Sequence, residues 1–281
     1  MKQFKLSRDI FNKFAGLSCV ENYLLYVLVA ENYPYQCVYY KSYISLVDII
    51  TSFINGEKYE SFHAINRLHS VAAFEGLINI RRFNYGDFKC FNSYDFNCIE
   101  VKPEYMIKKY GQSLWRNDHY ILLGEGNNLD LYFYINDVPR DIGNITKEEL
   151  KDASAGNIFC FNIRKMPDDI QKKNFFISFY KSLQSKNENN IGYIDDIIMA
   201  RDIIGVHKII CKRVMDFCNQ YIQMNFYKAH LSNIEKLFTR LEYMRLSKEN
   251  NLNRVNSFME YMVEEDSRYI EILRNKLEEL L

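Results

Sequence analysis

A chain of 281 residues is long for one compact domain and comfortable for two. Its 36 lysines and arginines balance 36 aspartates and glutamates, so no long-range field favours nucleic acid, and 48% hydrophobic with 26% charged residues is ordinary globular composition. No run approaches the roughly 18–20 apolar residues that cross a bilayer, Met1 to Arg8 leads into no signal-peptide core, and seven scattered cysteines fit free thiols in a reducing cytoplasm.

The first strong periodicity runs from Cys19 to Asn32, where Val20, Tyr23, Leu24, Val27 and Leu28 fall on helical spacing. Gly16 and Ser18 precede it, and Ser18 is suited to cap it. Phe62, Ile65, Leu68, Ala72 and Ala73 predict a second helix around Glu60 to Leu77. The pattern then changes to short aromatic and β-branched strands at 88–91, 119–123, 131–135 and 158–163. Turn-forming stretches at 124–128 and 136–139 separate them. Thr146 and Glu149 have capping-box spacing, which predicts a short helix at 146–150.

After Pro167 the chain reads as helical to its end. Ile194, Ile197, Ile198, Arg201 and Ile204 start a long amphipathic helix that continues through Cys218. Leu231, Ile234, Leu237, Phe238, Leu241 and Met244 mark another, and a third runs from Val255 to Leu280. This change of period predicts an α+β fold in two parts. Residues 1–165 would carry a small antiparallel sheet, and residues 166–281 would be all helical.

Three residues suit nucleophilic chemistry. A thiol at position 19 sits where a helix begins, and the free N–H groups and positive dipole end there stabilise thiolate. His119 opens a strand. If that strand and the next pair through the intervening turn, Asp137 at the end of the second strand lies beside it. A carboxylate there fixes the ring tautomer and stabilises imidazolium, so Cys19, His119 and Asp137 form a candidate nucleophile, base and orienter. Taken singly each has a structural explanation: a small buried hydrophobe, a capping histidine, and a turn residue ahead of Pro139.

Cys19 in Gly16-Leu-Ser-Cys19-Val-Glu-Asn, then His119-Tyr-Ile-Leu-Leu-Gly124, Tyr134-Ile-Asn-Asp-Val-Pro139 and Ile145-Thr-Lys-Glu-Glu-Leu150, resembles the C39-peptidase-like group of papain-like enzymes. Within that group it is most similar to the butirosin biosynthesis protein H family, over roughly residues 10–165 by motif. The resemblance implies a papain-like (C39-like) N-terminal domain followed by a helical region. It implies a cysteine-dependent acyltransferase of natural-product assembly, moving an acyl group from a carrier-protein thioester to an amine. The partners would be an acyl or peptidyl carrier protein of the nonribosomal peptide kind and a small-molecule amine. The only cofactor implied is the phosphopantetheine that the carrier bears. Neither nucleic acid nor a membrane is implied.

One position departs from the group's pattern. C39-type peptidases place an oxyanion-stabilising glutamine about six residues before the cysteine, where this chain has Lys13 with Asn12 beside it. Either the Cys19 backbone N–H and another donor such as Asn12 hold the oxyanion, or peptidase activity is absent. Loss of such a donor costs about 10²–10³ in rate, and a thioester, being more activated than an amide, tolerates that better. A hydrolase or peptidase with the same triad, and a non-catalytic interaction protein on the same scaffold, stay open as alternatives. So does the role of the last helix, which either closes the site or pairs two copies as a homodimer.

Other chemistry-bearing residues read as structural. His63 and His69 have no cysteine or acid at ligand spacing, and Cys211 and Cys218 lie seven apart on one apolar helix face. His207, four residues before Cys211, makes a two-ligand edge, whereas zinc needs three or four ligands. The stretch 124–128 is too short and too acidic for a phosphate loop. The 22 tyrosines and 20 phenylalanines come without a basic stripe, so they read as core.

Overall fold

The computed structural model describes residues 19–62, 76, 78–84, 96–111, 119–125, 131–136, 141–183 and 191–281. Among them are eight α-helices: α1 (Cys19–Ala30), α2 (Leu46–Ile54), α3 (Pro103–Tyr110), α4 (Lys147–Ala153), α5 (Asp169–Ser182), α6 (Ile197–Cys218), α7 (Asn225–Leu246) and α8 (Leu252–Glu278). The strands are β1 (Ile78–Asn84), β2 (Phe96–Val101), β3 (His119–Glu125), β4 (Leu131–Asn136), β5 (Asp141–Thr146) and β6 (Ser154–Ile163). Two compact units share these elements: Met1–Tyr35 with His63–Met166, and Gln36–Phe62 with Pro167–Leu281. The division differs from a single cut at 165/166 in the segment Gln36–Phe62, whose apolar helix α2 packs with α6 and α8.

The first unit is mixed α+β. Its six described strands form one antiparallel sheet in the order β1-β6-β2-β3-β4-β5. Strands β3, β4 and β6 cover the aromatic runs expected from the sequence. The expected strand at 88–91, and almost all of the expected helix around 60–77, lie outside the described residues. Strands β1, β2 and β5 are not among those expected from the sequence: Asn97 and Glu100 break the apolar run of β2, and Asp141, Gly143 and Asn144 give β5 a poor propensity. All six residues of β2 are buried, Asn97 and Glu100 among them. Glu100 is accommodated because the Asn157 backbone N–H donates to its carboxylate at 3.1 Å and the Asn157 side-chain amide also bonds it. Strand β5, Asp141-Ile-Gly-Asn-Ile-Thr146, is held by its ladder with β4.

One sheet face carries Ile99, Val101, Ile121, Leu123 and Ile158, packed with Met106 of α3 and Leu150 of α4. Pro103 starts α3 where its missing N–H is harmless, and Gly111 ends it at φ +67°, donating to Ile107 at 2.8 Å. The capping box of α4 is present as expected: Glu149 N–H donates to Thr146 Oγ1 at 3.1 Å, and Thr146 N–H to Glu149 Oε2 at 2.9 Å. Helix α1 departs from a one-sided stripe, since Tyr23 to Leu28 are all fully buried. It packs against β3, β2 and β6, and the Tyr23 hydroxyl donates to the Tyr120 carbonyl at 2.8 Å.

The described secondary-structure elements of the second unit are all helices. Its helices start on side-chain caps where the sequence supplies them: Ser45 for α2, Asp168 with Gln171 for α5, Asp196 for α6 and Asn251 for α8. Helix α6 packs along α7, and α8 packs on both. Their facing stripes, including Ile203, Ile210, Val214, Ile234, Leu241, Met259 and Leu273, are buried. The Asn256 side chain clamps the approach to α6: its amide donates to the Ile194 carbonyl and its oxygen accepts from the Ile194 N–H, both at 2.9 Å. No helix among the described residues is long and apolar enough to cross a membrane.

Candidate functional site

Cys19 is the first described residue of α1 and is half-buried, whereas Cys37, Cys98, Cys160, Cys211 and Cys218 are buried. It is therefore the most accessible of the described thiols. His119 is the first described residue of β3 and is buried. The helix that carries Cys19 packs against the strand that carries His119. The β3–β4 register pairs Leu122 with Ile135 and Leu123 with Tyr134, so the Asn136 end of β4 runs toward the His119 end of β3. Asp137, the expected orienting acid, and Asn12, the expected oxyanion donor, lie outside the described residues.

A second constellation lies in the helical unit. His207 and Cys211 are one turn apart on α6, His230 comes from α7 and Asp266 from α8, and all four are buried. Nε2 of His207 lies 3.3 Å from Asp266 Oδ1, and Nε2 of His230 lies 3.1 Å from the same oxygen. Cys211 Sγ is 3.5 Å from His207 Nε2. One ligand atom from each of the four residues lies within 4.8 Å of every other. Around them, the Tyr227 hydroxyl donates to Cys211 Sγ at 3.3 Å, and the Leu46 N–H reaches Asp266 Oδ2 at 3.5 Å. Tyr269 stacks on the His230 ring with centroids 4.6 Å apart.

The electrostatics of this cluster are cooperative. Burial works against every charge in it, yet His207 and His230 hold the Asp266 carboxyl well below the usual carboxylate range. Burial likewise disfavours the His207 imidazolium, but Cys211 and Asp266 outweigh it and raise His207 well above the ordinary histidine range. Burial pushes the Cys211 thiol up, and His207 pulls it below its usual value. The result is a buried set of groups prepared to carry charge together.

The sequence showed His207 and Cys211 as a pair two ligands short; the tertiary structure supplies the other two. A signal for them existed. His230 lies on the stripe of Tyr227, Leu231 and Ile234, and Asp266 on that of Met259, Met262, Val263, Ile270 and Leu273. A carboxylate on a buried apolar stripe needs a partner, and helical phase alone cannot say which helix provides it. His63 and His69 lie outside the described residues. No protein-family model matches this chain, and no curated protein matches it.

Proposed function

We propose that the chain is a cysteine-dependent acyltransferase of papain-like type, with Cys19 as nucleophile, His119 as base and Asp137 as the acid that orients His119. The observation that carries this reading is the packing of α1, which carries the one described cysteine that is not buried, against β3, which carries His119. The motif resemblance supplies the substrate class: an acyl thioester on the phosphopantetheine arm of a carrier protein, and an amine acceptor.

The chemistry balances with these groups alone. His119 takes the Cys19 proton, and the thiolate attacks the thioester carbonyl. The carbonyl–sulfur bond to the carrier breaks, and the carrier thiolate leaves with the proton from His119. The amine then attacks the acyl-cysteine, His119 accepts its proton, and Cys19 is released with the amide formed. The backbone N–H of Cys19, with a second donor, holds each oxyanion. Water must be excluded while the acyl-enzyme persists. Free cysteines suit work in the reducing cytoplasm.

Intact-mass spectrometry after exposure to an acyl-pantetheine thioester tests this directly. The wild type gains one acyl group, Cys19→Ala gains none, and added amines discharge the adduct as amide. Free acid as the sole product assigns the site to the hydrolase alternative. An adduct that persists in Cys19→Ala overturns the nucleophile, and a wild type that never acylates favours the non-catalytic interaction protein.

A further inference from the structure

We propose that His207, Cys211, His230 and Asp266 form a closed tetrahedral zinc site that ties α6, α7 and α8 of the helical unit together. The first argument is metric. Zinc bonds of about 2.0–2.1 Å to nitrogen or oxygen and about 2.3 Å to sulfur give tetrahedral edges of about 3.3 Å and about 3.6 Å. Three of the cluster's six edges match these lengths, two nitrogen–oxygen at 3.3 and 3.1 Å and one nitrogen–sulfur at 3.5 Å, and all six lie within 4.8 Å. The i, i+4 pair on α6 supplies one edge of the tetrahedron, as paired ligands on bundle helices do.

The second argument is charge. Two neutral imidazoles, one thiolate and one carboxylate sum to minus two, which a divalent cation cancels. Neutrality matters where all four ligands are withdrawn from water, and the cation supplies it in place of the two ring protons that would otherwise be needed. The donor set discriminates as well: thiolate with imidazole selects zinc over magnesium or calcium, which require oxygen ligands.

The third argument concerns the surroundings. Metal ligands are held by outer hydrogen bonds and packing, and here Tyr227 bonds the sulfur, Leu46 N–H approaches the free carboxylate oxygen and Tyr269 fixes the His230 ring. Because every ligand is buried and all four positions are filled by protein, no coordination position is left for a substrate. The site is structural, and it is independent of the acyl-transfer chemistry assigned to Cys19.

The test uses the full chain. Purified wild type is analysed for metal, stripped with a strong chelator, and reconstituted with zinc or cobalt(II). The expected result is about one metal per chain, a cobalt spectrum with tetrahedral visible bands, and a near-ultraviolet thiolate-to-cobalt band. Zinc saturation raises Tm by about 5 °C or more over the stripped protein. Cys211→Ser loses the thiolate band, and His230→Ala weakens binding by more than the about 10–100-fold that loss of an outer partner costs. Folded wild type that neither retains nor takes up zinc or cobalt overturns the site, whatever the variants do. A thiolate band that survives in Cys211→Ser overturns the ligand assignment.

Discussion

Nε2 of His230 lies 3.1 Å from Oδ1 of Asp266, joining side chains 36 positions apart in the chain with both rings of the histidine pair on one carboxylate oxygen. A buried carboxylate of this kind is tolerated only while its partners are in place. Removal of one partner of a buried ionic set costs about 3–5 kcal/mol, because the remaining charges lose compensation. Asp266→Ala is therefore expected to lose stability on that scale in urea or thermal unfolding. A loss under about 1 kcal/mol would show that the cluster does not organise the bundle.

Thiol reactivity should follow exposure. Burial pushes the Cys37 thiol up to about 11, with Lys172 opposing, and burial raises Cys218 well above the usual thiol range. Iodoacetamide on the native protein is expected to label Cys19 at least about tenfold faster than Cys37, Cys98, Cys160, Cys211 or Cys218. Peptide mapping of partially labelled protein measures this. Equal labelling of Cys19 and Cys160 contradicts the order.

His119→Ala should lower the rate of acyl transfer by about 10²–10⁴ while leaving the thioester KM nearly unchanged, the signature of a lost general base. Cys19 alkylation near neutral pH should slow in the same variant. A variant with full transfer activity removes His119 from the reaction.

Asp216 gives a pH-dependent expectation. Burial raises its carboxyl to about 6, with Lys212 partly opposing. The folded value lies above the unfolded one, so the protonated form favours folding at low pH, and that stability fades as pH rises from about 4 through 6. Asp216→Asn should be close to wild type at about pH 4.5. It should be more stable by about 1 kcal/mol above about pH 7, discounted for partial solvent screening, which corresponds to about 2–4 °C in Tm. A pH-independent difference between the two proteins refutes the assignment.

Gly143 leaves room for the ring of Tyr134, whose hydroxyl donates to Asp141 Oδ2 at 2.6 Å, beside a second bond from Tyr110 at 2.7 Å. A Cβ at position 143 would fall 2.7 Å from the Tyr134 hydroxyl oxygen. Gly143→Ala is expected to cost about 1–3 kcal/mol by displacing that ring, measured by denaturant unfolding. An unchanged midpoint would mean that the ring moves freely.

Sequence alone determined the features that depend on neighbours in the chain. The Thr146–Glu149 capping box, helix α1, the aromatic strands β3, β4 and β6, and the long helices α6 to α8 all rest on spacing within a few residues. Local propensity and period encode such elements directly. Tertiary structure decided the rest. Strand β5 exists because β4 pairs with it, Glu100 sits in a buried strand because Asn157 bonds it, and α2 belongs with helices that follow it by more than a hundred residues. His230 and Asp266 were visible only as polar residues on apolar stripes. Which atoms they meet depends on how three helices cross, and no short-range pattern records that because the contacts are made between side chains far apart in the chain.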